Sequence, residues 1–305
     1  MPDPVTPRPR LQQGSRIAIV SPASAAKPDL VTQGSAALKA YGYDPLIMPH
    51  ALDRGPLYYA GTAADRIADL HAAFADPTID AILCTRGGWG SAELLPLLSA
   101  DLIRANPKVF AGYSDHTSLH VYLWNLCQLP TFYAPMAAAD WSNPIGVDDR
   151  TWRSALHAET PWSVSAADGL RTLRPGRAQG RLLGGCLSIL IESLATPFAL
   201  NLTEPTILFL EDIHTKPYQW DRMLQHLLFA GLLRNVQGIV FGDPASNIQP
   251  SELPLLEAAC LHALADFHGP IAIGLQSGHM ASHNRSLPLG TWVTMQDNTL
   301  SENQH

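Results

Sequence analysis

The sequence predicts an α/β protein in two parts: a parallel-sheet N-terminal domain and a smaller α/β C-terminal domain. Three observations carry this. Short buried β-type runs alternate with amphipathic helical patterns through the first half, as expected for parallel strands joined by helices. That alternation fails between residues 141 and 180 and then resumes with fewer elements. The chain has 305 residues, 46% of them hydrophobic and 15% charged, which is an ordinary globular composition with length for two domains.

The elements follow in order. Residues 16–21 (RIAIVS) read as a buried strand, closed by the turn Pro22-Ala23-Ser24. A helix over 29–41 stops near Gly42, since glycine suits a helix C-terminus. Residues 46–48 form a second short strand. Over 62–75 the residues Ile67, Leu70, His71 and Phe74 fall on one face at spacings of three and four, which predicts a strong helix. A third strand over 80–85 runs into a Gly-rich turn and a helix over 92–98. A fourth, over 109–113, runs into a helix over 117–126. Between 141 and 180, Pro144, Pro161, Pro175 and several Gly and Ser residues indicate a linker with short pieces of structure at most. Beyond it come a strand at 206–210 (TILFL) and an amphipathic helix at 218–229, with Met223, Leu224, Leu227 and Leu228 facing inward. A strand at 238–241, a helix at 253–267 and strands at 270–274 and 292–295 complete the region. The expected division is 1–140, a linker over 141–180, and 181–305.

The formal net charge is −7 and the arginines are scattered, which argues against nucleic acid as a partner, since phosphate binding needs a clustered basic face. The opening MPDPVTPRPR has no apolar run, so it reads as a short flexible tail and not as an export signal. No stretch reaches the roughly 20 apolar residues of a membrane span; residues 182–194 are broken by Gly184, Gly185, Ser188, Glu192 and Ser193. A cytoplasmic location is expected. Cys84, Cys127, Cys186 and Cys260 show no CxxC spacing and read as buried free thiols. No metal or organic cofactor is expected.

Ser114 is the leading candidate for chemistry. It follows a buried strand and precedes a helix, where a sharp turn lifts a hydroxyl out of the sheet and the helix N-terminus favours developing negative charge. Gly112 leaves room for the bend, and the amides from Asp115 onward can donate to an oxyanion. A plain helix cap by Ser114 or Asp115 is the structural alternative. Arg86-Gly87-Gly88-Trp89-Gly90 follows another strand, and its glycines let backbone amides approach a ligand. It is neither a Walker loop nor a GxGxxG fingerprint. Glu211 and Asp212 end a strand, where α/β sheets form clefts, although an ion pair with Arg222 would equally account for Glu211. His279 lies in a loop past a later strand, with His283 four residues on as a competitor. The order Ser, Glu, His permits a triad. Spacing alone leaves open whether the three meet. It also leaves open a metallohydrolase using Glu211, His279 and His283, and a non-catalytic peptide-binding module.

The sequence resembles the LD-carboxypeptidase family of serine peptidases over nearly its whole length. The matching pieces are RIAIVSPAS, YYAGTAADRIADLHAAFADP, AILCTRGGWGSAELLPLL, KVFAGYSDHTSLH, GRLLGGCLSIL, TILFLEDIHTKPYQWDRMLQHL, GIVFGD, GLQSGH and LPLG. The resemblance implies a flavodoxin-like or glutamine-amidotransferase-like N-terminal domain holding the serine, and a C-terminal domain holding the other two residues. It places the triad on Ser114, Glu211 and His279, and the oxyanion site on the amides of Gly88 and Asp115. The implied reaction removes a terminal D-alanine from an L,D-linked murein tetrapeptide in cell-wall recycling, by a cytoplasmic homodimer without cofactor. One departure stands out: the family usually reads GGN where this chain has Gly184-Gly185-Cys186. A subgroup cleaves peptide–nucleotide antibiotics of the microcin C type and stacks the base on aromatic residues. Trp141, Trp152 and Trp162 would be this chain's candidates for that role.

Overall fold

The computed structural model describes residues 5–246 and 248–303. The first five strands are β1 (Arg16–Val20), β2 (Asp44–Ile47), β3 (Ala81–Cys84), β4 (Val109–Gly112) and β5 (Thr131–Tyr133). They are parallel and lie in the order β2-β1-β3-β4-β5, the flavodoxin-like doubly wound order. Every residue of β3, β4 and β5 is buried, so these strands read as continuous apolar runs without alternation. Their covering helices have clear boundaries. Pro28 opens the helix Pro28–Tyr41, and Gly42, in the left-handed conformation, returns its amide to the carbonyls of Leu38 and Lys39. Thr62 and Asp65 form a reciprocal capping box on Ala63–Ala75. The helix expected at 92–98 is Ser91–Leu94 followed by a 3₁₀ turn, Leu95–Leu97, because Pro96 lacks the amide that would continue the α-pattern.

The remaining strands are β6 (Ser163–Val164), β7 (Arg171–Arg174), β8 (Arg177–Cys186), β9 (Thr206–Glu211), β10 (Val236–Gly242), β11 (Ile271–Leu275), β12 (Leu287–Leu289), β13 (Trp292–Gln296) and β14 (Thr299–Glu302). All but β12 form a mixed sheet in the order β6-β14-β13-β8-β9-β10-β11-β7. Its centre, β8 to β11, is parallel, and its flanks are antiparallel. Strand β12 returns to the first sheet and pairs antiparallel with β5, at an edge where Pro288 costs no central ladder bond.

Segment 141–180 is therefore built differently from the expected linker: it holds β6, β7 and the start of β8. Strand β8 escaped the sequence reading because its first half alternates exposed and buried residues, with Gln179 and Gly180 breaking any apolar run. The three tryptophans are core: Trp141, Trp152 and Trp162 are buried, and Trp162 donates its indole N–H to the carbonyl of Ser286. They present no face to a nucleotide base. The N-terminal segment is likewise anchored from Val5 onward. Thr6 donates to the Gln128 carbonyl, Arg8 pairs with Glu302 at 3.0 Å, and Leu11 is buried. The first four residues of the expected tail lie outside the described residues. Among the described residues no helix is long and apolar enough to cross a membrane.

Candidate active site

The carboxyl ends of β4, β9 and β11 converge, and each delivers one polar group. Ser114 stands just past β4 as the first residue of a 3₁₀ turn, Ser114–His116, that runs into the helix Thr117–Cys127. Its φ is +67°, a conformation that costs a non-glycine residue on the order of 1–3 kcal/mol and persists where surrounding packing imposes it. The Gly-rich turn after β3 supplies that packing. A Cβ on Gly87 would lie 2.8 Å from the Ser114 Cβ, so only glycine lets the two turns touch. Asp115 is fully buried and its carboxylate accepts the Ser91 amide at 2.8 Å, tying the same two turns together. Burial raises the Asp115 pKa against the lowering effect of that bond.

Ser114 Oγ lies 2.9 Å from His279 Nε2, and His279 Nδ1 lies 2.7 Å from Glu211 Oε2. The structure thus brings the three sequence candidates into one chain of hydrogen bonds. Glu211 bonds to His279 and Tyr133, in place of the alternative partner Arg222. Gly278 makes room for it: at φ +95° it carries no Cβ, which would fall 2.6 Å from the Glu211 Cδ. The Tyr133 hydroxyl donates to Glu211 Oε1 at 2.5 Å and accepts the Ser114 amide at 3.0 Å. Burial holds the Tyr133 pKa far above its usual value, so the hydroxyl keeps its proton for Glu211. Burial alone would lower the His279 pKa. The charge and hydrogen bond of Glu211 outweigh it, with help from Asp212 and Asp140, and the net shift is upward. The neighbouring His116 and His120 are buried and pushed down to about 3 and about 4, which keeps them neutral.

Ser114 and His279 open on a cleft of about 510 Å³ that is also lined by Gly88, Tyr113, Lys27 and Arg86. Lys27 and Arg86 are exposed cations at its wall. A separate cavity of about 200 Å³ is lined by Trp89, Leu95, Thr117 and Glu192, and neither Ser114 nor His279 lines it.

His283 stands apart. It is exposed, and its amide is held by the Ile145 carbonyl at 2.6 Å. The loop that carries it is thus pinned at this amide. Among the described residues, the ligand atoms of Glu211, His279 and His283 do not converge, and the metallohydrolase reading loses its ligand set. The residues whose ligand atoms do converge, His50, Asp53 and Asp65, lie elsewhere, and Asp65 is already engaged in its capping box. Cys186, in place of the family's usual asparagine, is buried beside Glu211 in the sheet register. Its amide donates to Thr117 Oγ1 and its sulfur contacts Ser188 Oγ.

Residues 17–134 match the LD-carboxypeptidase N-terminal domain and residues 179–295 its C-terminal domain. A Bacillus subtilis protein named "Probable murein peptide carboxypeptidase" is 33% identical over 293 residues, covering 93% of this chain and 90% of its own. The murein tetrapeptide carboxypeptidase of Pseudomonas aeruginosa is 30% identical over 292 residues, covering 93% and 94%. Among solved structures, an MccF-like protein from Bacillus anthracis superimposes with a TM-score of 0.88 at 24% identity, covering 98% of this chain and 99% of its own.

Proposed function

The chain belongs to the LD-carboxypeptidase family, and on that premise we propose that it is a serine carboxypeptidase removing the terminal D-amino acid from an L,D-linked murein peptide. The observation that carries this reading is the hydrogen-bonded line from Ser114 through His279 to Glu211, opening on a cleft walled by two cations.

The chemistry follows from the contacts. Glu211 holds the proton of His279 on Nδ1, which leaves the Nε2 lone pair facing Ser114. Ser114 Oγ attacks the scissile carbonyl while its proton passes to Nε2. The carbonyl oxygen becomes an oxyanion, for which we assign the amides of Gly88 and Asp115. The Ser114 amide is already given to Tyr133, whereas Asp115 stands at the start of a 3₁₀ turn, where amides lack intrahelical acceptors. His279 then protonates the departing amine, the C–N bond breaks, and water releases the acyl group from Ser114 by the reverse proton path. In this reading residues 1–140 supply the nucleophile and residues 181–305 the base and its partner. The family resemblance also supports a cytoplasmic homodimer, which sedimentation of the purified protein tests.

Arg86 and Lys27 give the reading its exopeptidase character, since a free C-terminal carboxylate is the anion they would meet. Arg86→Gln is expected to raise KM for the tetrapeptide about 10–100-fold with little change in kcat, the loss of one charge-assisted hydrogen bond of about 1.5–3 kcal/mol. The tetrapeptide amide, lacking that charge, should be nearly insensitive to the substitution. Equal effects on acid and amide would show that Arg86 does not read the carboxylate. Mass spectrometry of murein tetrapeptide after incubation tests the substrate itself, and loss of one D-alanine is expected. An unchanged tetrapeptide together with cleavage of an aminoacyl nucleotide would replace this reading with the microcin C type. Binding without cleavage of either would point to a peptide-binding module.

A further inference from the structure

We propose that Asp140 and Asn284 are positioning residues that fasten the His279 turn to the nucleophile strand. The inference rests on the serine peptidase reading above. Asp140 lies in the turn Ala137–Trp141 and Asn284 in the loop beyond His279; both are buried. Asn284 Nδ2 donates to Asp140 Oδ1 at 3.1 Å, and Asn284 Oδ1 accepts the Gly278 amide at 2.9 Å. Asp140 Oδ2 accepts the Met136 amide at 2.8 Å, and the Tyr113 hydroxyl also bonds to this carboxyl. One buried carboxyl is therefore linked to the residue before Ser114 and, through one amide side chain, to the residue before His279.

The geometry between those two points is tight. The Tyr113 ring stands perpendicular to the His279 imidazole, with centroids 5.4 Å apart. The backbone of Asn284 is itself clamped, its amide on the Gly146 carbonyl at 2.8 Å and its carbonyl on the Asp148 amide at 3.2 Å. A Gly278 turn released from Asn284 would let the imidazole drift from Ser114, and a displacement of about 1 Å can cost on the order of 10²-fold in rate. The acidic groups that raise His279 are Glu211, Asp212 and Asp140, while Tyr113 is the neutral group against its ring. Asp140 is raised to about 7, chiefly by burial, with the Met136 amide, Asn284, Tyr113 and His279 opposing.

Two substitutions separate positioning from mere packing. Asn284→Ala should lower kcat on murein tetrapeptide by about 10–100-fold, on the scale of a displaced base, with KM within about threefold. Asp140→Asn should lower kcat similarly, again with KM within about threefold. Circular dichroism checks folding, and the rate of Ser114 labelling by a fluorophosphonate provides a second readout that needs no peptide substrate. If wild type labels but leaves the tetrapeptide intact, the murein reading fails while the labelling rates still judge the clamp. Folded Asn284→Ala with wild-type kcat and labelling rate overturns the proposal, even if Asp140→Asn does not fold. So does a folded Asp140→Asn with wild-type kcat and labelling rate.

Discussion

Ser114→Ala is expected to lower turnover by about 10⁶-fold, the scale seen when the serine of a triad is removed. In the proposed mechanism the oxygen lost is the atom that forms the bond to substrate, and no neighbouring thiol can replace it. Cys84 at the end of β3 and Cys186 at the end of β8 are buried and pushed well above the usual thiol range by that burial, so neither supplies a thiolate. The fold should survive. The Ser114 hydroxyl is half-buried and bonds to His279, while the backbone bend is held by Tyr133, Gly87 and Asp115 and not by the side chain. Alanine must still adopt φ near +67°, so the strain of the turn remains. Ser114→Gly would relieve it and is expected to be equally inactive but no less stable, a trade of stability against function at a strained site. Thermal melts beside steady-state rates decide both points. Alanine-variant activity within tenfold of wild type would remove Ser114 from the nucleophile's role.

How much of this was legible in the sequence depended on whether a residue's environment is local. Strands β1, β3, β4 and β9 were legible because they are covered on both faces, and a run such as Thr206–Leu210 has no other soluble explanation. Ser114 and Gly88 were legible as a strand-to-helix turn and a glycine cluster, because both are backbone demands written in adjacent residues. Strand β8 was not, since its antiparallel contact with β13 exposes alternate residues and its glycines look like a loop. Neither was the return of β12 to the first sheet, which nothing in Leu287-Pro288-Leu289 encodes by itself. Tyr133, Asp140 and Asn284 escaped for a related reason. Each is an ordinary residue type whose importance lies in partners at separations of 78, 144 and 6 positions. The one available signal was that Tyr133, like Ser114 and Glu211, sits at the carboxyl end of a buried strand. The convergence of Glu211 with His279 came to the sequence reading only through family resemblance, and its geometry required the fold.

His279→Ala is expected to abolish nearly all turnover, by about 10⁴–10⁶-fold, while His283→Ala should cost at most about tenfold. The difference lies in what each imidazole touches. His279 joins Ser114 and Glu211 through its two ring nitrogens, so removing it severs proton transfer in both directions. His283 is exposed, and its backbone, not its ring, fixes the loop against Ile145. The wild-type pH profile gives an independent check. His279 must be neutral to accept the serine proton, and its pKa is raised above 6.5, so kcat/KM should climb with pH through a midpoint above that value. Stability runs the other way. A raised folded-state pKa means that protonated His279 is favoured in the fold. This contribution is complete below the unfolded value of about 6.5 and is lost as pH rises through the folded value. Activity should therefore appear over the same interval in which the His279 contribution to Tm fades, and the Tm difference between wild type and His279→Ala should shrink from acidic to alkaline pH. Both alanine variants, assayed side by side on one tetrapeptide with circular dichroism to confirm folding, decide the assignment. A dead His283 variant beside an active His279 variant would transfer the base to His283. A midpoint at or below 6.5 would mean that burial, and not Glu211, sets the charge of the imidazole.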